Sequence, residues 1–199
     1  MFEFIEKVVY INLEYRTDRR QQIEPQLKLY FSPDKIVRLD AIKDSFGAFG
    51  CSKSHIKALE LAKTNGWKNV LILEDDSVWN NFDESYKKLE DFVTRSYDVI
   101  LLGSRAPWYQ PWNMRILKSL SANAYLVNKD YYPTLLDNFK NGLTCFLESH
   151  DHEKHSLDTY WHRLMEVDEW FCILPSLMVQ SESYSDILNT MVNGRDDFW

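Results

Sequence analysis

The sequence predicts an α/β domain in which a largely parallel sheet is flanked by helices, and three observations carry that prediction. Short apolar, β-branched runs recur at 8–13, 36–39, 69–73 and 97–102, each of strand length. The first three are each followed by a segment whose apolar residues recur at helical spacing. The third run, Asn69-Val70-Leu71-Ile72-Leu73, is apolar without alternation, the pattern of a strand covered on both faces. Strands and helices alternating in this rhythm build parallel sheets.

Taken in order, Val8-Val9-Tyr10-Ile11-Asn12-Leu13 reads as a buried strand, and Ile23, Leu27 and Tyr30 mark the helix after it. Pro25 is expected in or near that helix's first turn, or at a kink, because it has no N–H to donate. Ile36-Val37-Arg38-Leu39 is the second strand. Gly47-Ala48-Phe49-Gly50 breaks the chain before a helix carrying Ile56, Leu59 and Ala62, which ends near Asn65-Gly66. The central strand 69–73 runs into Glu74-Asp75-Asp76, followed by a helix with Tyr86, Leu89, Phe92 and Val93 and by the strand 97–102, which stops at Gly103. Beyond that point the pattern loosens. A strand is expected at 124–127, a helix over 130–139, a polar loop over 148–155 and a helix carrying Leu157, Tyr160, Trp161 and Leu164.

The 199 residues suit one domain spanning 1–199. A formal charge of −7 disfavours a nucleic-acid partner, which needs a Lys/Arg surface. The acidic N-terminal segment lacks the basic-then-apolar pattern of a signal peptide, and no later run approaches the length of a membrane span. A soluble protein of a reducing compartment, the cytoplasm of a bacterium or of a virus-infected cell, is the expectation. Cys51, Cys145 and Cys172 lie far apart, so their spacing suggests neither a disulfide framework nor a zinc site. Seven Trp, eleven Tyr and eleven Phe supply rings that fill a core or stack on sugars and bases.

Glu74-Asp75-Asp76 is the most informative feature, since ligands of open α/β sheets bind at the carboxyl ends of strands. Three acids there call for a counter-cation, and a hard ion, Mn²⁺ or Mg²⁺, takes one or two carboxylates and completes its shell with phosphate oxygens. Strand alternation would point Glu74 and Asp76 to one side and Asp75 to the other. Arg16, Arg19 and Arg20 follow the first strand on the edge where a diphosphate would sit, with helix N–H donors beginning near Asp18. The turn at 47–50 lets backbone approach a ligand, and Ser54 and His55 follow it as packing, capping or contact residues. His150, His152 and His155, with Asp151 and Glu153, match no standard metal spacing and read as a solvated loop. Trp108, Tyr109 and Trp112 are candidates for a loop that stacks on a ligand or for core packing.

Together these segments resemble glycosyltransferase family 25, which includes bacterial lipooligosaccharide galactosyltransferases and procollagen galactosyltransferases. The matching pieces are Val9 to Leu13 with Arg16, Asp18, Arg19 and Arg20; Gly47 to Cys51 with Ser54-His55; Val70 to Asp76; Ala122 to Val127; Leu157-Asp158; and Pro175 to Gln180 followed by Ser185-Asp186-Ile187. The resemblance implies a GT-A fold, a UDP-galactose or UDP-glucose donor, a divalent metal, and inverting transfer of the hexose to a hydroxyl of a glycan or other hydroxylated acceptor. On this sequence it implies Glu74, Asp75 and Asp76 as the metal- and donor-binding motif, Asn12 and Arg16 as the nucleotide-facing pair with Ser54 completing the pocket, and Gln180 and Asp186 as further metal or diphosphate contacts. Asp158, at a helix start facing the ligand edge, is the expected base. Bacterial surface-glycan synthesis, such as that of lipopolysaccharide, or a viral glycan pathway is the expected setting. Two other classes remain open: a sugar-nucleotide-binding domain without transfer, and an aromatic-rich interaction module.

Overall fold

The structure is a computed structural model that describes residues 1–80, 82–185 and 190–192. The chain runs β1 (Lys7–Asn12), α1 (Thr17–Lys28), β2 (Ile36–Asp40), α2 (Gly47–Asn65), β3 (Asn69–Glu74), β4 (Ser77–Trp79), α3 (Phe82–Phe92) and β5 (Val99–Leu101). It continues through β6 (Arg105–Tyr109), β7 (Ile116–Leu120), β8 (Ala124–Asn128), α4 (Tyr132–Ser149), and the single turns α5 (His152–His155), α6 (Leu157–Tyr160) and α7 (His162–Met165). The last elements are β9 (Trp170–Cys172), β10 (Met178–Gln180), β11 (Ser183–Ser185) and β12 (Thr190–Val192).

Six strands form the central sheet in the order β2-β1-β3-β8-β5-β9. β1 pairs in parallel with β2 and β3, and β5 with β9, while β8 runs antiparallel between β3 and β5. The expected α/β class, with a mainly parallel sheet flanked by helices, is the one observed. Its apolar runs are continuous because successive side chains feed two cores. Val9, Ile11, Val70, Ile72, Tyr125 and Val127 pack on one face with α2 and α4 residues such as Leu59 and Phe139. Val8, Tyr10, Leu71, Leu73, Ala124 and Leu126 pack on the other with Ile23 and Leu27 of α1 and Leu89 and Phe92 of α3.

Several expectations need correction. Pro25 lies inside α1, beyond its first turn. The glycine segment 47–50 is the first turn of α2 rather than a break before it. Gly50 is required there by close approach, since a Cβ would stand 2.5 Å from the Ile42 carbonyl oxygen. The C-terminus falls where expected, with Gly66 taking the left-handed conformation (φ 67°) that caps the helix. α4 extends to Ser149, anchored by fully buried Phe146, and the polar stretch after it forms the turn α5, capped by the Asp151 side chain accepting from the Lys154 N–H at 3.1 Å. The expected helix around 157–164 is divided into α6 and α7. Three-residue strands such as β4 and β10 are too short for any periodicity to reveal.

Candidate functional site

Because β1, β2 and β3 are parallel neighbours, their carboxyl ends open onto one edge of the sheet. A cavity of about 490 Å³ lies there, lined by Leu13 and Tyr15 after β1, the 41–46 segment after β2, the first turns of α2, the three acids after β3, Arg19 and Gln180. It is the place where open α/β sheets bind ligands, and its size suits a small-molecule ligand.

The acids converge. Glu74 is the last residue of β3, and the chain turns at Asp75-Asp76 before β4, so strand alternation stops at Glu74. Asp75 and Asp76 accordingly share one cation instead of facing apart: Arg19 Nη1 is 2.8 Å from Asp75 Oδ1 and 3.2 Å from Asp76 Oδ2. Asp75 Oδ2 accepts from Asn12 Nδ2 at 2.7 Å. Asp76 is buried, and its Oδ1 has no hydrogen-bond partner. Glu74 Oε2 accepts from Gln180 Nε2 at 2.9 Å. The antiparallel pairing of β4 with β10, which sets Gln180 opposite Ser77, brings the two together across 106 positions of sequence.

The electrostatics follow from this crowding. Burial, reinforced by the charge of Glu74, pushes the Asp76 carboxyl up to about 7 against the pull of Arg19. Burial also raises Asp75, with Arg19 and Asn12 opposing. Glu74 goes the other way: burial works against its charge, but the hydrogen bond and charge of His55 outweigh it. A buried carboxylate oxygen without a partner, beside two further carboxylates, is a donor set that a hard divalent cation would complete. The residues present therefore fit Mn²⁺ or Mg²⁺.

Of the other sequence-predicted residues, Ser54 lines the cavity, but its hydroxyl accepts from the Ile42 N–H at 2.8 Å and donates to the Gly50 carbonyl at 2.7 Å, pinning the 41–46 segment to α2. Asn12 is buried beneath the acids, where its amide bonds Asp75 and the Arg16 carbonyl while its Oδ1 accepts from Arg38 at 3.1 Å. The Arg16 guanidinium pairs with Asp18 at 2.8 Å, and it is Arg19 that reaches the acids. Asp158 stands in α6, where its Oδ2 accepts from the Ser121 N–H at 2.9 Å and its Oδ1 from the Ser156 hydroxyl at 3.0 Å. It is close enough to Cys51 for its charge to help raise that thiol, after burial and Glu74. Asp186 lies outside the described residues.

Other site residues, or their partners, went unread in the sequence. Tyr15, half exposed, and Lys43, whose ammonium sits 5.0 Å from the Tyr15 ring centroid, stand at the cavity mouth with Phe46. Cys51 and His55 meet Glu74 from α2. Their signal was their spacing, one helical turn apart on the helix that begins at the glycines. The histidines at 150, 152 and 155 join no cluster of potential metal ligands; among the described residues the one trio of His, Cys, Asp or Glu side chains whose ligand atoms all lie within 4.8 Å of one another is Cys51, His55 and Glu74. Trp108 and Trp112 are exposed, whereas Tyr109 packs against the core.

No family model matches the chain, and no curated protein matches it. Solved structures do. A glycosyltransferase involved in the glycosylation of the major capsid of PBCV-1 superposes with a TM-score of 0.55 over 83% of this chain and 80% of its own, at 12% identity. A 4-diphosphocytidyl-2C-methyl-D-erythritol synthase from Anaerococcus prevotii reaches 0.48 over 94% of this chain and 77% of its own at 10% identity. The glycosyltransferase GlyE of Streptococcus pneumoniae also reaches 0.48, over 85% of this chain and 45% of its own, at 10% identity. The first likeness establishes the fold, a GT-A-type α/β architecture; the other two are too distant to bear on the reading. No helix among the described residues is long and apolar enough to cross a membrane.

Proposed function

We propose that the chain is a metal-dependent, inverting glycosyltransferase of the family 25 kind, a single domain that moves galactose or glucose from a UDP-sugar to a hydroxyl of a glycan or other acceptor. The observation that carries the reading is the cluster of Glu74, Asp75 and Asp76 at the carboxyl end of β3, with an unpartnered buried oxygen on Asp76, inside a cavity of about 490 Å³. The likeness of the fold to a glycosyltransferase supports it.

In this reading Asp76, Glu74 and Gln180 would hold Mn²⁺ or Mg²⁺, with Asp186 as a further ligand. The cation supplies charge neutralisation on the diphosphate of the donor. Asn12 acts through Asp75, fixing the rotamer that faces the donor, and Arg16 shapes the turn between β1 and α1 by accepting the Asn12 amide on its carbonyl. Ser54 holds the 41–46 wall of the pocket. Arg19 stabilises the negative charge that develops on the leaving nucleotide from within the water-poor cluster. Asp158 takes the acceptor proton, and the exposed rings of Trp108 and Trp112 offer stacking faces to the acceptor.

Titration calorimetry of UDP, UDP-galactose, UDP-glucose and GDP-mannose, with Mn²⁺ and with chelator, tests the donor site. The expected outcome is metal-dependent binding of a UDP-sugar that Asp76→Ala abolishes. Absence of nucleotide binding under every condition refutes the reading. The rival, a donor-binding domain without transfer, draws on the two hydrogen bonds that already occupy the Asp158 carboxylate. It predicts the same calorimetry with no turnover of any acceptor.

A further inference from the structure

The acidic cluster has a chemically different neighbourhood on its α2 side. Cys51 and His55 stand one turn apart on that helix, so both side chains face the end of β3. There Glu74 Oε1 lies 3.7 Å from Cys51 Sγ and 3.5 Å from His55 Nε2, and one ligand atom from each of the three residues lies within 4.8 Å of the others. Thiol, imidazole and carboxylate are the donors Zn²⁺ takes, at bond lengths of about 2.0 to 2.3 Å. Around a tetrahedral ion with such bonds, neighbouring ligand atoms stand roughly 3.3 to 3.6 Å apart, so the two separations from Glu74 need to close very little.

The surroundings match as well. The other imidazole nitrogen, His55 Nδ1, is 2.7 Å from the Tyr125 hydroxyl, and the two rings stack 22° from parallel at a centroid distance of 5.6 Å. An outer hydrogen bond of this kind fixes the orientation of a ligating histidine. Thiolate and carboxylate together balance a divalent charge, leaving a neutral assembly in a largely buried place. All three residues line the cavity.

We infer that Cys51, His55 and Glu74 form a binding site for a thiophilic divalent cation of the Zn²⁺ type, one that takes Glu74 through Oε1 and differs in its chemistry from the all-oxygen set of Asp76, Glu74 and Gln180. Binding releases the Cys51 proton to solvent, and Mg²⁺, which prefers oxygen, does not compete for the thiolate. The inference goes beyond the transferase reading and stands without it, because its readout is a spectrum of the protein alone.

Co²⁺ titrated into the metal-free protein is the test. A thiolate-to-cobalt charge-transfer band and intense tetrahedral d–d bands should rise together, saturate at a single equivalent per chain, and be displaced by Zn²⁺ but not by excess Mg²⁺. Cys51→Ser should remove the charge-transfer band while Cys145→Ser keeps it. Tyr125→Phe should keep the band and weaken Zn²⁺ binding roughly 10- to 100-fold, the size of a lost outer-shell partner. A wild-type titration without a thiolate band, or a band that survives Cys51→Ser, overturns the inference. Failure of UDP-sugar binding would leave it untouched.

Discussion

Replacing Arg19 by Met keeps the length of the side chain and removes the cation shared by two buried carboxylates. Arg19 Nη1 lies 2.8 Å from Asp75 Oδ1 and 3.2 Å from Asp76 Oδ2, with the guanidinium 11% exposed and each carboxylate 8%. The two oxygens are therefore no more than about 6 Å apart, and at an effective dielectric of 20 their charges repel by about 3 kcal/mol. Each attraction to Arg19, worth about 5 to 6 kcal/mol gross on the same scale, is offset in the native protein by desolvation. Removing one partner from such a set costs about 3 to 5 kcal/mol. For a chain of this size each kcal/mol is roughly 2 to 4 °C, so Arg19→Met should melt roughly 6 to 20 °C lower in chelator at pH 8. Differential scanning fluorimetry reads the midpoint directly. Saturating Mn²⁺ should raise the variant more than the wild type, because the ion takes over the neutralisation Arg19 provided. Adding Asp76→Asn to Arg19→Met should recover part of the loss by removing one of the stranded charges. If the variant melts with the wild type in chelator, or if Mn²⁺ shifts the two equally, the acids are not a buried cluster awaiting a cation and the reasoning fails.

Two further outcomes follow from other contacts. Tyr15 lines the cavity with its ring 52% exposed, a face on which the donor's base can stack; on that reading Tyr15→Ala should weaken UDP binding by about 1 to 3 kcal/mol with little change in melting temperature, and calorimetry showing unchanged affinity refutes it. Glu24 accepts from the buried Tyr10 hydroxyl at 2.5 Å and from Arg20 at 2.7 Å, and those hydrogen bonds hold its carboxyl down at about 2. A depressed carboxylate contributes stability that is complete above its unfolded value, about 4.5, and is lost as the pH falls from there toward 2. With solvent screening at a partly exposed site the contribution is about 1 kcal/mol. Tyr10→Phe should therefore cost about that much in urea denaturation at pH 7 and less at pH 3, and an equal loss at both would contradict it.

The fold was legible because it rests on local pattern. Val8 to Ile11 and Val70 to Leu73 are apolar on every residue, and in the structure alternate side chains enter the two cores on either side of the sheet. The helix ending at Gly66 followed from a single residue able to adopt φ 67°. The strands that escaped notice are short or irregular, and some of them have remote partners. β4 has three residues, and it acquires its place by pairing with β10, a hundred positions later.

The candidate site was legible as a set of residue types and illegible as a set of partners. Three acids after a buried strand suggest a cation from sequence alone, because burying carboxylates without a counter-charge is costly, though the same acids also suit a solvated turn that begins the next helix. Which arginine answers them depends on where α1 begins, and a helix turns about 100° per residue. Starting at Thr17, it leaves Arg16 outside its first turn and paired with Asp18, while Arg19 faces the acids. The same dependence hid the zinc-type site. Cys51 and His55 looked unremarkable until the glycines before them proved to be helical, which sets both against Glu74. Asn12 shows the limit from the other side: its place after β1 was predictable, yet all its hydrogen bonds run inward, to Asp75, Arg16 and Arg38. Its effect on any ligand must pass through the carboxylate it aims.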